Sequence, residues 1–200
     1  MCNVTNHLTL GTPLTGPWPA GTSTISFGMG CFWGAEKKFW PILGVVCTSV
    51  GYQGGAASNP DYRLVCTGTT GHAEVVRIAY DPTRVSLYEL LKVFWENHDP
   101  TQGDRQGNDI GSQYRSAVFY DDNADRDLIE RSRDVYTQEL GKRRFGAVTT
   151  QIASANNPSA PLTFWLAEDY HQQYLIKNPN GYDCHAHTGI DLPPLEQLLS

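Results

Sequence analysis

Thr24-Ile25-Ser26-Phe27-Gly28-Met29-Gly30-Cys31-Phe32-Trp33-Gly34-Ala35-Glu36-Lys37-Lys38-Phe39-Trp40 joins a β-like run to a helix-like run through a glycine-flanked thiol. Thr24 to Gly28 is β-branched and aromatic, Ala35 to Trp40 is helix-forming, and Pro41 ends the helix. Cys31 therefore stands at or near a helix N-terminus, where free N–H groups and the helix dipole favour a thiolate. Gly30 permits a sharp turn and a close approach of another molecule to the backbone. The reading is a nucleophilic cysteine, set against the plainer alternative of a small buried hydrophobe.

Outward from this unit, Gly44 to Val50 is short and β-branched and reads as a second strand, ended by the turn Gly51-Tyr52-Gln53-Gly54-Gly55. A polar loop spans Ala56 to Gly71. A third strand, Ala73 to Tyr80, puts Glu74 on one face with Val76, Ile78 and Tyr80, as the only charge there. Ser86 and Glu89 form a capping-box pair ahead of a helix carrying Leu87, Leu90, Leu91, Phe94 and Trp95 at helical spacing. The loop Thr101 to Tyr114 leads to a strand, Arg115 to Tyr120. Asp122 to Leu140 reads as a charged helix with a stripe of Leu128, Val135, Tyr136 and Leu140. A last strand is expected over Ala147 to Ser154 and a short helix over Glu168 to Lys177. This order predicts an α+β fold: a ferredoxin-like β-α-β-β-α-β core with a mixed sheet, an extra helix and strand, and a long coiled C-terminal tail. The expected divisions are a loosely held arm (1–22), one catalytic domain (23–177) and the tail (178–200).

With 200 residues, 40% hydrophobic and 18% charged, the chain has the composition of one globular domain. A net charge of −6 offers no basic footprint for nucleic acid or an anionic membrane. No apolar run approaches the ~20 residues of a membrane helix, and residues 1–21 show no secretory pattern. The five cysteines, Cys2, Cys31, Cys47, Cys66 and Cys184, are widely spaced and odd in number. They suit neither a disulfide scaffold nor a zinc ribbon, and point instead to a reducing cytoplasm with redox-active thiols.

Five ordered blocks then carry a family resemblance. Gly30-Cys31-Phe32-Trp33-Gly34, Gly51-Tyr52-Gln53-Gly54-Gly55, Asn59-Pro60-Asp61-Tyr62, Gly71-His72-Ala73-Glu74 and the run from His98 to Ser116 resemble the A-type peptide methionine sulfoxide reductases. The likeness runs from about Ser23 to Tyr182; Met29, where many members have glycine, is a departure. The resemblance implies reduction of methionine S-sulfoxide, free or in proteins, with no cofactor. It implies Cys31 as nucleophile, Glu74 as acid, Tyr62 and Tyr114 as phenols that hold the sulfoxide oxygen, and Asp109 as a contact to the substrate main chain. Phe32 and Trp33 would form the wall for the substrate methyl group. Cys184 would resolve the Cys31 sulfenic acid as a disulfide, which thioredoxin or a similar dithiol protein then reduces. Cys2 is an alternative resolver. The chain is expected to act as a monomer.

Two other functions use overlapping residues. A redox sensor would need the same two thiols. A metal-binding protein would draw on Cys184, His185 and His187, with His171 nearby, although their spacing matches no finger motif.

Overall fold

A computed structural model describes residues 5–184 and 186–199. Its elements are β1 (Ser23–Met29), α1 (Phe32–Phe39), β2 (Val45–Gln53), α2 (Tyr62–Cys66), β3 (Ala73–Tyr80) and α3 (Leu87–Glu96). They continue with β4 (Arg105–Gln106), β5 (Asp109–Ile110), β6 (Ser116–Tyr120), α4 (Arg126–Lys142), β7 (Gln151–Ser154), β8 (Trp165–Leu166), α5 (Tyr174–Lys177) and α6 (Leu195–Leu199). Among the described residues a six-stranded sheet has the order β7-β6-β1-β3-β2-β8, and β4 pairs with β5 in a separate hairpin. β1 lies antiparallel to β3 and β6, β2 lies antiparallel to β3 and β8, and β7 joins β6 in parallel. The fold is thus α+β with a mixed sheet.

Why both faces of β3 are apolar becomes clear from its coverings. Val76, Ile78 and Tyr80 pack with β1, α1, α3 and α4 in the main core, beside Phe39, Phe94, Trp95, Tyr136 and Leu140. Ala73 and Val75 pack on the other face with Phe119, Ala155, Leu162 and Phe164. The third covering is the N-terminal segment, which buries Leu14 against Cys47 and Ala79. His7 is also buried, and its Nε2 lies 2.9 Å from Thr48 Oγ1. From Thr5 onward, therefore, this segment is packed and not the loose arm that its composition suggested.

Several boundaries differ from expectation for identifiable reasons. β2 continues through Gly51-Tyr52-Gln53, where a turn was expected, because Tyr52 pairs with both Glu74 and Trp165. The polar loop holds α2, whose N-cap Asp61 accepts the Leu64 N–H at 2.8 Å. The stripe of α4 is turned slightly: Ile129, Ser132, Tyr136 and Leu140 are buried, while Leu128 and Val135 are only half-buried. The last expected strand begins at Gln151, and the helix expected from Glu168 begins only at Tyr174, after a turn in which Gln173 has φ +47°.

The tail is held down as well, and it ends in helix α6 where only coil was expected. The Tyr136 hydroxyl donates to the Ile190 carbonyl at 3.0 Å, and the Leu192 N–H donates to Glu96 at 2.8 Å. Ile190 and Leu192 belong to the main core. The segment carrying Cys184 is thus a strap anchored beyond it on α3 and α4.

Candidate active site

The turn at Gly30 has φ +86°, a conformation that glycine adopts at little cost. A Cβ there would come within 2.6 Å of Gln106 Cβ, so the glycine is needed for space as well. The chain emerges from it with Cys31 as the N-cap of α1, 8% exposed. Glu74, on the neighbouring strand, is 1% exposed, and its Oε2 accepts the Phe32 N–H at 3.1 Å. One helix start thus places a thiol and a carboxyl side by side.

Three further segments complete the pocket. Tyr62 opens α2, and its N–H donates to Glu168 Oε1 at 2.8 Å. Tyr114 closes the one-turn helix Ser112–Tyr114 just before β6. Asp109 lies in β5, where its Oδ2 accepts the Tyr182 hydroxyl at 2.9 Å. Together Cys31, Phe32, Trp33, Tyr62, Glu74, Asp109, Tyr114 and Tyr182 line a cavity of about 130 Å³. Seven of these eight were expected from the sequence. An open groove of about 560 Å³ beside β7 is larger, but its lining has no thiol or carboxyl group.

The aromatic side of the pocket is backed by the turn before α5. Trp33 stacks on Tyr174 with ring centroids 3.7 Å apart and planes inclined by 11°. Its Nε1–H donates to His171 Nδ1 at 2.9 Å, and the His171 ring lies between Phe32 and Tyr62. Glu168 accepts the Tyr52 hydroxyl at 2.8 Å as well as the Tyr62 N–H.

Burial sets the protonation of these groups. It pushes Glu74 up to about 8, against the lowering effect of the Phe32 N–H, so the carboxyl keeps its proton at neutral pH. It also pushes the Cys31 thiol well up, and Glu74 adds to that rise. The Trp33 N–H acts in the opposite direction without prevailing. The lowering expected from the helix N-terminus does not prevail: desolvation outweighs the helix end. Burial likewise raises Tyr62 and Tyr114, which remain O–H donors.

Cys184 is half-buried, and like buried Cys31 and Cys47 and exposed Cys66 it is a free thiol. Its sulfur lies 3.9 Å from the Gln106 carbonyl, and it shares a small gap with Cys31, Gly34 and Asn97. The neighbouring Asp183 pairs with Lys37 of α1 at 3.1 Å, which sets the strap against that helix. Cys2 lies outside the described residues, as does His185. Of the other metal-reading residues, His171 is buried behind Trp33 while His187 is exposed.

Sequence reasoning missed Tyr182, Glu168 and the true place of His171. Tyr182 was in view only as context for Cys184; a phenol two residues before that thiol was the available signal. Glu168 and His171 had none, since only the fold brings residues more than 100 positions from Tyr62 and Trp33 against them.

Residues 23–197 match the family model for peptide methionine sulfoxide reductase. The peptide methionine sulfoxide reductase MsrA of Brucella anthropi is 56% identical over 194 residues, covering 96% of this chain and 86% of that protein. The structure is similar to methionine sulfoxide reductase A of Corynebacterium diphtheriae, with a TM-score of 0.80 and 46% identity over 96% of this chain and 91% of that one. It is also similar to reduced Mxr1 of Saccharomyces cerevisiae, with a TM-score of 0.73 and 36% identity over 86% and 93% of the two chains. That yeast protein is known in complex with Trx2 as well, in a form that aligns at 22% identity with a TM-score of 0.53 over 90% of this chain and 99% of that one, a likeness of fold.

Proposed function

The chain belongs to the peptide methionine sulfoxide reductase family, and on that footing we propose how its pocket reduces methionine S-sulfoxide, free or in proteins, to methionine. The observation that carries the assignment of roles is the shared cavity of Cys31, Glu74, Tyr62 and Tyr114, lined on one side by Phe32 and Trp33. The methyl group rests on those two rings. The sulfoxide oxygen accepts hydrogen bonds from the two phenols and faces the protonated Glu74, while Asp109, with Tyr182, orients the substrate main chain.

Cys31 Sγ attacks the sulfoxide sulfur as the Glu74 proton passes to the oxygen, which avoids an unstabilised oxyanion in a dry site. This gives an adduct in which the substrate sulfur carries both Cys31 Sγ and a hydroxyl group, and the Cys31 thiol proton restores Glu74. The hydroxyl then passes to Sγ as the substrate S–O bond and the new Sγ–S bond break, the latter's electron pair returning to the methionine sulfur, so methionine leaves as a thioether and Cys31 is left as a sulfenic acid. Cys184 then attacks the Cys31 sulfur, releasing water and forming a disulfide. Thioredoxin or a similar dithiol protein reduces that disulfide; the yeast relative's complex with Trx2 supports this choice of partner. The four core strands, in the order β6-β1-β3-β2, support reading the scaffold as ferredoxin-like. Among the described residues no helix is long and apolar enough to cross a membrane, and a reducing compartment such as the cytoplasm suits the free thiols.

One mutant pair tests the scheme. Cys31→Ser abolishes sulfoxide reduction. Cys184→Ser releases about one methionine per enzyme in a single turnover but does not cycle with thioredoxin. Mass mapping after one equivalent of sulfoxide should find the Cys31–Cys184 disulfide in the parent; full thioredoxin-driven cycling by Cys184→Ser would remove Cys184 from its role.

A further inference from the structure

His171 was noticed in the sequence as a metal-ligand candidate, yet it stands behind the pocket's aromatic wall, in contact with its rings. Its ring centroid is 5.0 Å from Phe32, 4.6 Å from Tyr62, 4.0 Å from Tyr170 and 5.7 Å from Trp33. Its hydrogen bonding settles its tautomer. Nδ1 accepts the Trp33 Nε1–H at 2.9 Å, so it carries no proton, and the ring proton is on Nε2. That Nε2 is buried without a hydrogen-bond partner, and the acceptor it faces is Glu168 Oε2 at 3.8 Å. Burial pushes His171 down to about 4, which keeps the Nδ1 lone pair available across the neutral range.

The turn that carries His171 is bolted in place. Gln172 Oε1 accepts the Val50 N–H at 2.9 Å, and Gln172 Nε2 donates to the Val50 carbonyl at 2.8 Å and to that of Ala167 at 2.9 Å. The Gln173 N–H and Nε2 both donate to the buried Glu36 carboxylate of α1, at 2.9 and 2.8 Å. Such anchoring transmits a fixed position to the indole. A pocket wall selects among substrates only if it cannot swing aside.

We infer that His171, held by its anchored turn, is a positioning residue that fixes the Trp33 indole and so makes the pocket select a methyl group over a larger alkyl group at the sulfoxide sulfur. This rests on reading the cavity as the methyl sulfoxide site. Without the acceptor, the indole N–H of half-buried Trp33 is left unpaired, and the ring can rotate about its side-chain bonds to seek another partner.

The test compares N-acetylmethionine S-sulfoxide with N-acetylethionine S-sulfoxide, measuring kcat and KM with a dithiol reductant. One methylene in an apolar pocket is worth a factor of about 10 to 200, so the parent should favour the methyl substrate by at least about tenfold. His171→Leu should raise KM for the methyl substrate and lower the methyl-over-ethyl ratio by about fivefold or more. His171→Asn, whose Oδ1 can stand where Nδ1 stood, should restore the ratio to within about threefold of the parent. Trp33→Phe, which lacks the N–H, should lower the ratio as His171→Leu does, and the double variant should lower it no further. A folded His171→Leu with the parent ratio, or a His171→Asn no better than His171→Leu, overturns the inference. If His171→Leu does not fold, an unchanged ratio in Trp33→Phe overturns it. A parent that reduces neither sulfoxide overturns the reading of the pocket itself.

Discussion

A carboxyl group that is 1% exposed can keep its proton or find a cation. Glu74 has one donor, the Phe32 N–H at 3.1 Å, and no basic side chain among the causes of its shift, so it keeps the proton up to about 8. The acid is therefore present below that pH and lost above it. Activity should fall as pH rises through 8, and Glu74→Gln, which has no transferable proton, should lose most activity and the pH break together; rates measured from pH 6 to 9 decide this. The same residue limits stability. Above pH 8 the folded state holds an uncompensated charge, so Glu74→Gln should raise unfolding free energy there by about 1–3 kcal/mol, read from denaturant midpoints at pH 8.5. Glu74 was legible before the fold was known, because strand periodicity left it the one charge on an apolar face. The neutrality of the Cys31 thiol was not, since a helix N-terminus can be read from sequence but the depth of burial opposing it cannot.

Helix α1 carries both thiols' surroundings in its first turn. Its N-terminus holds Cys31, and its flank receives the strap through Gly34. A Cβ on Gly34 would lie 2.5 Å from Asp183 Oδ1 and 3.4 Å from the Cys184 backbone N. Gly34→Ala should therefore push the strap away and leave Cys31 in place. Release of the first methionine should stay near the parent rate, while disulfide formation slows by roughly tenfold, about 1.4 kcal/mol. Rapid-quench mass analysis separates the two steps; equal slowing of both would show that Gly34 matters only to the helix. Elements of this kind were legible where a local signal marks them. Ser86 caps α3 through a full capping box, as its spacing with Glu89 foretold. By contrast, β8 and α6 are short segments without strong periodicity, and the pairing of Tyr52 with Trp165 and the contact of α6 with α4 are what define them.

Across the whole molecule, buried titratable groups pull in opposite directions. Burial lowers His7, His98 and His171 to about 4 from an ordinary 6.5, so between those values the unfolded chain binds more protons and stability rises with pH. Burial raises Glu36 to about 7 and Glu74 to about 8 from an ordinary 4.5, so there the folded chain binds more protons and stability falls as pH rises. Three histidines outweigh two carboxyls on the acid side, and above about 6.5 only the carboxyls remain in play. Stability should therefore peak near pH 6 and decline on both sides, as unfolding midpoints from pH 4 to 9 would reveal; a monotonic rise to pH 8 would contradict this balance. By itself the sequence determined the α+β class, the β-turn-α unit around Cys31 and the lone charge of Glu74 on an apolar strand face, because periodicity and capping are local properties of the chain; the other five of the seven expected pocket-lining residues came through the family resemblance carried by its ordered motifs. The tertiary structure alone decided that the N-terminal segment and the tail are packed straps, that Cys31 rests as a thiol, and that Glu168 and His171 back the pocket. Each of these depends on desolvation or on contacts between segments far apart in the chain, quantities that exist only once the chain has closed on itself.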